Sequence, residues 1–120
     1  MDKEIEKEAV QKTDIQDLIL VGKLGRVVSM KNSKGQCLEV RLSTPTAEDV
    51  KKMGNGELDA AEFVSYFVVR IGDREYASEE REGLREGLGK IQGTVLGFLN
   101  KQCLQLLEEQ EAFVEELTKK

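Results

Sequence analysis

The sequence predicts an α+β fold, mostly α-helical, with an N-terminal β-hairpin or small meander ahead of a short helix, a buried helix and a long C-terminal helix. Three observations carry this. Along residues 37–42, Leu38, Val40 and Leu42 alternate with Glu39 and Arg41, the period of a half-buried strand. Along residues 58–71, Ala60, Phe63, Val64, Phe67, Val68 and Ile71 recur at the three-to-four spacing of one helix face. Along residues 78–119 the apolar positions Leu84, Leu88, Ile91, Val95, Phe98, Leu99, Cys103, Leu106, Val114 and Leu117 keep the same spacing without a proline.

The elements follow in order within a single domain spanning residues 1–120. Residues 1–14 are mostly charged, with Ile5, Ala9 and Val10 as their apolar positions, and read as either a frayed short helix or a disordered tail. Leu18, Ile19, Leu20, Val21, Val27 and Val28 are strand formers, punctuated by Gly22 and Gly25. The polar cluster 31–36 then makes a turn with Gly35 near its end. Two runs around that turn give a hairpin, or a three-stranded meander if the glycines break the first run. A lone hairpin is marginal in water, so it must pack on the helices or pair with another chain.

Pro45 behind Thr44 suits a first helical position after a hydroxyl cap; Glu48 and Asp49 favour the first turn and Gly54 a stop. A short helix is expected there, with Asn55 and Gly56 as connector. The alternating carboxylates of a calcium loop are missing. The buried helix over 58–71 follows, with a strand left open at Phe67, Val68 and Val69, and Gly72-Asp73 as its end. Ser78, with Glu79, Glu80 and Glu82 after it, reads as the cap of the long helix. That helix is one piece of roughly 60 Å, or two with a break among the glycines.

Gly89, Gly93 and Gly97 lie four apart and predict a close helix–helix contact, within the chain or between copies; the alternative is a helix that starts near Ile91 with the earlier glycines in a loop. Leu99, Leu106, Phe113, Val114 and Leu117 continue the apolar face beyond what short helices and a hairpin cover. With the three glycines they form the candidate partner-binding set, and self-association is expected.

Composition excludes several functions. Net charge is −5, with 34% charged and 5% aromatic residues, which argues against a nucleic-acid-binding stripe. There is no histidine, so Ser–His–Asp and Cys–His chemistry and the usual zinc sites are not expected, and neither is a metal or cofactor. Cys37 and Cys103 form no CxxC and read as buried free thiols. Glu79, Glu80 and Glu82 read as a solvated first turn. The glycines of residues 83–97 do not make a phosphate loop: there is no GKS/T. The residues 1–10 are charged, unlike a signal peptide, and no apolar run is long enough to span a bilayer, which sets the expectation of a cytoplasmic, non-enzymatic protein with no membrane partner.

Residues 40–50, Val40-Arg41-Leu42-Ser43-Thr44-Pro45-Thr46-Ala47-Glu48-Asp49-Val50, lead from a strand into a proline–threonine helix start with acids soon after. With the buried helix, the charged step Asp73-Arg74-Glu75-Tyr76 and a final helix near Phe98-Leu99, this layout resembles the tail assembly chaperones of long-tailed bacteriophages over residues 36–102. The resemblance implies a cytoplasmic protein of the infected cell that coats the tape measure protein and helps recruit tail tube protein during assembly, and that is neither an enzyme nor part of the virion. A dimerising structural or adaptor protein joined through the long helix is the alternative. A small enzyme or ligand-binding domain is the third reading.

Overall fold

Backbone pairing around residues 37–43 organises the molecule. The computed structural model describes residues 15–54 and 56–119, and the expectations for residues 1–14, Asn55 and Lys120 lie outside these. Strand β1 (Gly25–Lys31) pairs antiparallel with β2 (Cys37–Ser43), from Gly25 opposite Ser43 to Lys31 opposite Cys37. The expected turn closes this hairpin. Asn32 Oδ1 accepts from the Lys34 and Gln36 amides at 2.9 and 3.0 Å, and Gly35 supplies a positive φ of 78°.

The other edge of β2 carries β3 (Val68–Ile71), which turns back through Gly72-Asp73 into the short β4 (Arg74–Glu75). The result is a four-stranded antiparallel sheet in the order β1-β2-β3-β4. Here the helix expected over 58–71 is corrected: helix α3 (Ala60–Ser65) stops at Ser65, and the strand left open at Phe67–Val69 is formed from Val68. The apolar spacing suited either element. An unpaired β2 edge, β-branched residues at 68 and 69, and a glycine able to take φ 59° at the tight turn decide for the strand.

Two further corrections concern the N-terminal half. Leu18 and Ile19 belong to a short helix, α1 (Ile15–Ile19), not to a strand, and Leu20 and Val21 form the turn after it. The short helix α2 (Ala47–Met53) appears where expected and ends at Gly54 with φ 70°, but its cap is Thr46. Thr46 Oγ1 accepts from the Asp49 amide and Asp49 Oδ2 accepts from the Thr46 amide, both at 3.2 Å. Thr44 instead uses its hydroxyl to accept from the Leu24 amide at 3.1 Å, tying the segment before β1 to the end of β2.

The stretch after β4 is two helices. A 3-10 turn (Ser78–Glu80) enters α4 (Arg81–Leu88); a break at Gly89–Gln92 precedes α5 (Gly93–Thr118). This is the broken alternative of the sequence reading. Ser78 makes no side-chain cap; the Glu80 carboxylate does so by accepting from the Ala77 amide at 3.1 Å.

One core joins these parts. Val28, Val40, Leu42 and Val68 from the sheet meet Ala61 and Val64 of α3, Leu84 and Leu88 of α4, and Leu99, Cys103 and Leu106 of α5, with Phe67 fully buried. α3 lies against both α4 and α5, and its Phe63 ring sits 5.0 Å from that of Phe67. From the rim, Arg26 of β1 reaches Gln102 at 2.9 Å and pairs with Glu109, holding α5 beside the edge strand.

Leu106 is 1% exposed. Leu106→Ala should therefore lower the unfolding free energy by about 2–5 kcal/mol in urea titration. Leu106→Glu should abolish the cooperative transition followed by circular dichroism, because it buries an unpaired charge.

Candidate interaction surface

The surface builds on α4 and the sheet edge beside it. Leu84 and Leu88 face the core, while Gly83 and Gly87, one turn apart, face outward. A Cβ placed on either glycine meets nothing within 4 Å. An apolar trough of about 520 Å³ therefore opens between α4 and the β3–β4 hairpin, with Ile71, Tyr76, Leu84, Leu88 and Ile91 in its walls.

One end of the trough is charged and fixed. Arg74 pairs with Glu80 at 2.9 Å, and its guanidinium lies 4.7 Å from the Tyr76 ring centroid. The Ala77 amide, and secondarily Arg74, hold the Glu80 carboxyl below its ordinary value, so it stays ionised at neutral pH.

A second groove, of about 760 Å³, meets the first at Ile91. It lies between the tip of the β1–β2 hairpin and the α4–α5 break. Met30, Leu38, Ile91 and Val95 supply its apolar lining, and Lys31 and Lys90 stand in it. Leu38 shares the inward face of β2 with Val40 and Leu42, yet it is 44% exposed because the hairpin runs past the core.

The predicted partner-binding residues separate into distinct places. Leu99 and Leu106 belong inside the core, at 2% and 1% exposure, instead of on a docking face. Gly89 caps α4, whereas Gly93 and Gly97 lie in the first turns of α5, so the three do not share one helix. A Cβ at Gly93 or Gly97 finds open space, so no close backbone contact within the chain uses them. Phe113, Val114 and Leu117 stay exposed at 40%, 39% and 50%; Val114 lies against Gly22, and Gln110 donates to the Gly22 carbonyl at 3.2 Å. Sequence reasoning missed the trough; its signal was Gly83 and Gly87 alternating with Leu84 and Leu88 on one helix.

The remaining polar residues hold structure together. Asp49, already capping α2, also pairs with Arg81 of α4 at 3.0 Å, and Arg81 stacks over Tyr66 at 4.4 Å. The polar cavity beside them, with Ser43 and Ser65, encloses only about 110 Å³, below the ~300 Å³ at which small-molecule pockets begin. Among the described residues no cluster of three or more His, Cys, Asp or Glu could hold a metal, and no helix is long and apolar enough to cross a membrane. Of the two thiols, Cys103 is buried as expected, but Cys37 is exposed, because its place at the start of β2 lies at the hairpin tip beyond the core. No family model matches the chain, and neither a curated protein nor a solved structure does.

Three outcomes follow from these placements. Gly97→Ala should stabilise by about 0.5–1 kcal/mol in urea titration, since the site is open and helical. A thiol-specific chromogenic reagent should label Cys37 in the native protein and Cys103 only after denaturation. Burial pushes the Cys103 thiol from 9.0 up to about 12. The stability this thiol contributes is thus complete below pH 9 and is lost as pH rises toward 12, a slope that Cys103→Ala should flatten.

Proposed function

We propose that this protein is a non-enzymatic tail assembly chaperone of a long-tailed bacteriophage, acting in the host cytoplasm. In this reading it holds apolar helical segments of the tape measure protein in solution and helps recruit tail tube protein. The sequence resemblance over residues 36–102 supports the biological setting. The observation that carries the mechanism is the apolar trough along α4, open to solvent because Gly83 and Gly87 have no side chains.

The physical logic is helix-in-groove recognition. An amphipathic client helix exposes an apolar stripe that would otherwise aggregate. The trough offers Ile71, Tyr76 and Ile91 to that stripe above the buried Leu84 and Leu88, and glycines at 83 and 87 let a helix approach the α4 backbone closely. The acidic surface of a chain with net charge −5 keeps the complex in solution.

A second reading, a dimerising adaptor, is favoured by the exposed Phe113, Val114 and Leu117 at the end of α5.

Co-expression with the long helical product of the neighbouring tape measure gene tests the proposal. The expected result is a soluble complex that is lost with Gly87→Leu, a substitution that fills the trough while α4 keeps its helicity by circular dichroism. A client equally insoluble with and without this protein would overturn it. Complex formation untouched by Gly87→Leu would move the binding site off the trough.

A further inference from the structure

We infer that the free edge of β1 pairs antiparallel with the same strand of a second copy, so that two four-stranded sheets join into one across a two-fold axis at Val28. The inference concerns the protein by itself and does not rest on the trough reading.

The two edges of the sheet differ. One is β4, only two residues long. The other is β1, seven residues without a proline, in unbroken register with β2. The register shift of the sheet lies between β2 and β3. Shortness, proline and bulges protect an edge against pairing, and β1 uses none of the three.

Backbone parity shows what the edge offers. The Asn32 amide donates to the Gln36 carbonyl and the Thr44 amide to the Leu24 carbonyl, both at 3.0 Å. Both ends of the ladder therefore turn the even-numbered residues of β1 toward β2. The amides and carbonyls of Gly25, Val27, Ser29 and Lys31 point away from it. Among the described residues no hydrogen bond is made to those groups.

A second copy of β1 complements this edge. With Val28 opposite Val28 on the axis, Val27 lies opposite Ser29 and Gly25 opposite Lys31, and each such pair exchanges two backbone hydrogen bonds. This register uses the full strand. No like charges face each other in it, because Lys31 meets a glycine and Arg26 meets Met30. An axis at Val27 would set Lys31 against Lys23, and an axis at Ser29 would leave Gly25 and Arg26 beyond the partner strand.

Helix α5 adds an apolar contact at the same junction. Arg26 reaches Gln102, Gln105 and Glu109, so that face of α5 is turned to β1. Phe98 precedes Gln102 by one turn on this face and is 44% exposed. Joining the sheets sets the two α5 helices side by side under the junction and covers Phe98. The contact is isologous and closes at two copies. The trough, on the β4 side, stays open in both.

Two measurements on the full-length protein test this. Sedimentation equilibrium should show a dimer in equilibrium with monomer. Amide hydrogen exchange followed by NMR should show Val27 and Ser29 protected in the dimer and roughly tenfold or more less protected after dilution to monomer. The Val28 amide, bonded to β2, should stay protected at both concentrations. Ser29→Pro removes an outward amide and no bond to β2. It takes two bonds from the symmetric interface and should weaken association roughly tenfold or more, with circular dichroism unchanged. If the proline itself unfolds the chain, the dilution series on wild type decides alone. A monomer at high concentration, or a dimer with fast-exchanging Val27 and Ser29 amides, would overturn the inference. So would protection of both amides that survives dilution to monomer, or a dimer untouched by a folded Ser29→Pro.

Discussion

A four-stranded antiparallel sheet with one apolar face has to be covered, and the rest of this structure depends on how that is done. Val28, Val40, Leu42 and Val68 present the face. Burying it removes water from apolar area at about 25 cal/mol per Å², and the sheet alone offers no other element to do so. The cover is assembled from α3, α4 and α5, with α3 wedged against both longer helices. Because α3 is only Ala60–Ser65, the chain must leave it quickly and return to the sheet as β3. The helix break at Gly89–Gln92 then lets α4 and α5 approach the core from separate directions.

That cover has a consequence for α5. Its stripe is apolar for longer than the core is wide. Leu99, Cys103 and Leu106 meet the core, and the next turns run beyond it, where the segment around Gly22 approaches. One periodic pattern therefore contains two physically different halves, a buried half that stabilises the domain and a half that stays exposed. The same division occurs at the other end of the molecule, where β2 buries Val40 and Leu42 but carries Leu38 past the core into solvent.

The polar residues show how a short motif can be structural first. Asp49 accepts from the Thr46 amide and pairs with Arg81, whose guanidinium covers Tyr66. The proline–threonine helix start therefore fixes α2 and clamps it to α4, beside the trough wall. That capping box and ion pair make it a support for the surface beside it. The glycines of α4 act in the opposite sense: they weaken helix propensity, and what they leave in return is an open trough between α4 and the β3–β4 hairpin.

Sequence alone determined the fold class, the first hairpin with its turn at 32–36, the short helix ending at Gly54 and the apolar period of α5. Each of these is set by local pattern: alternation, a side-chain cap or stop, or a three-to-four repeat. It could not determine residues 66–71, where helical and strand patterns coincide and pairing with the free edge of β2 decides. It misread Leu18–Val21 for a related reason, since strand-forming side chains form a strand only where a partner edge is within reach. The candidate surface was legible only in part. Phe113, Val114 and Leu117 were visible as excess apolar face, but Leu99 and Leu106 carry the same periodic signal and lie inside. A period records which residues share a face; only the tertiary structure sets how far along that face the core extends.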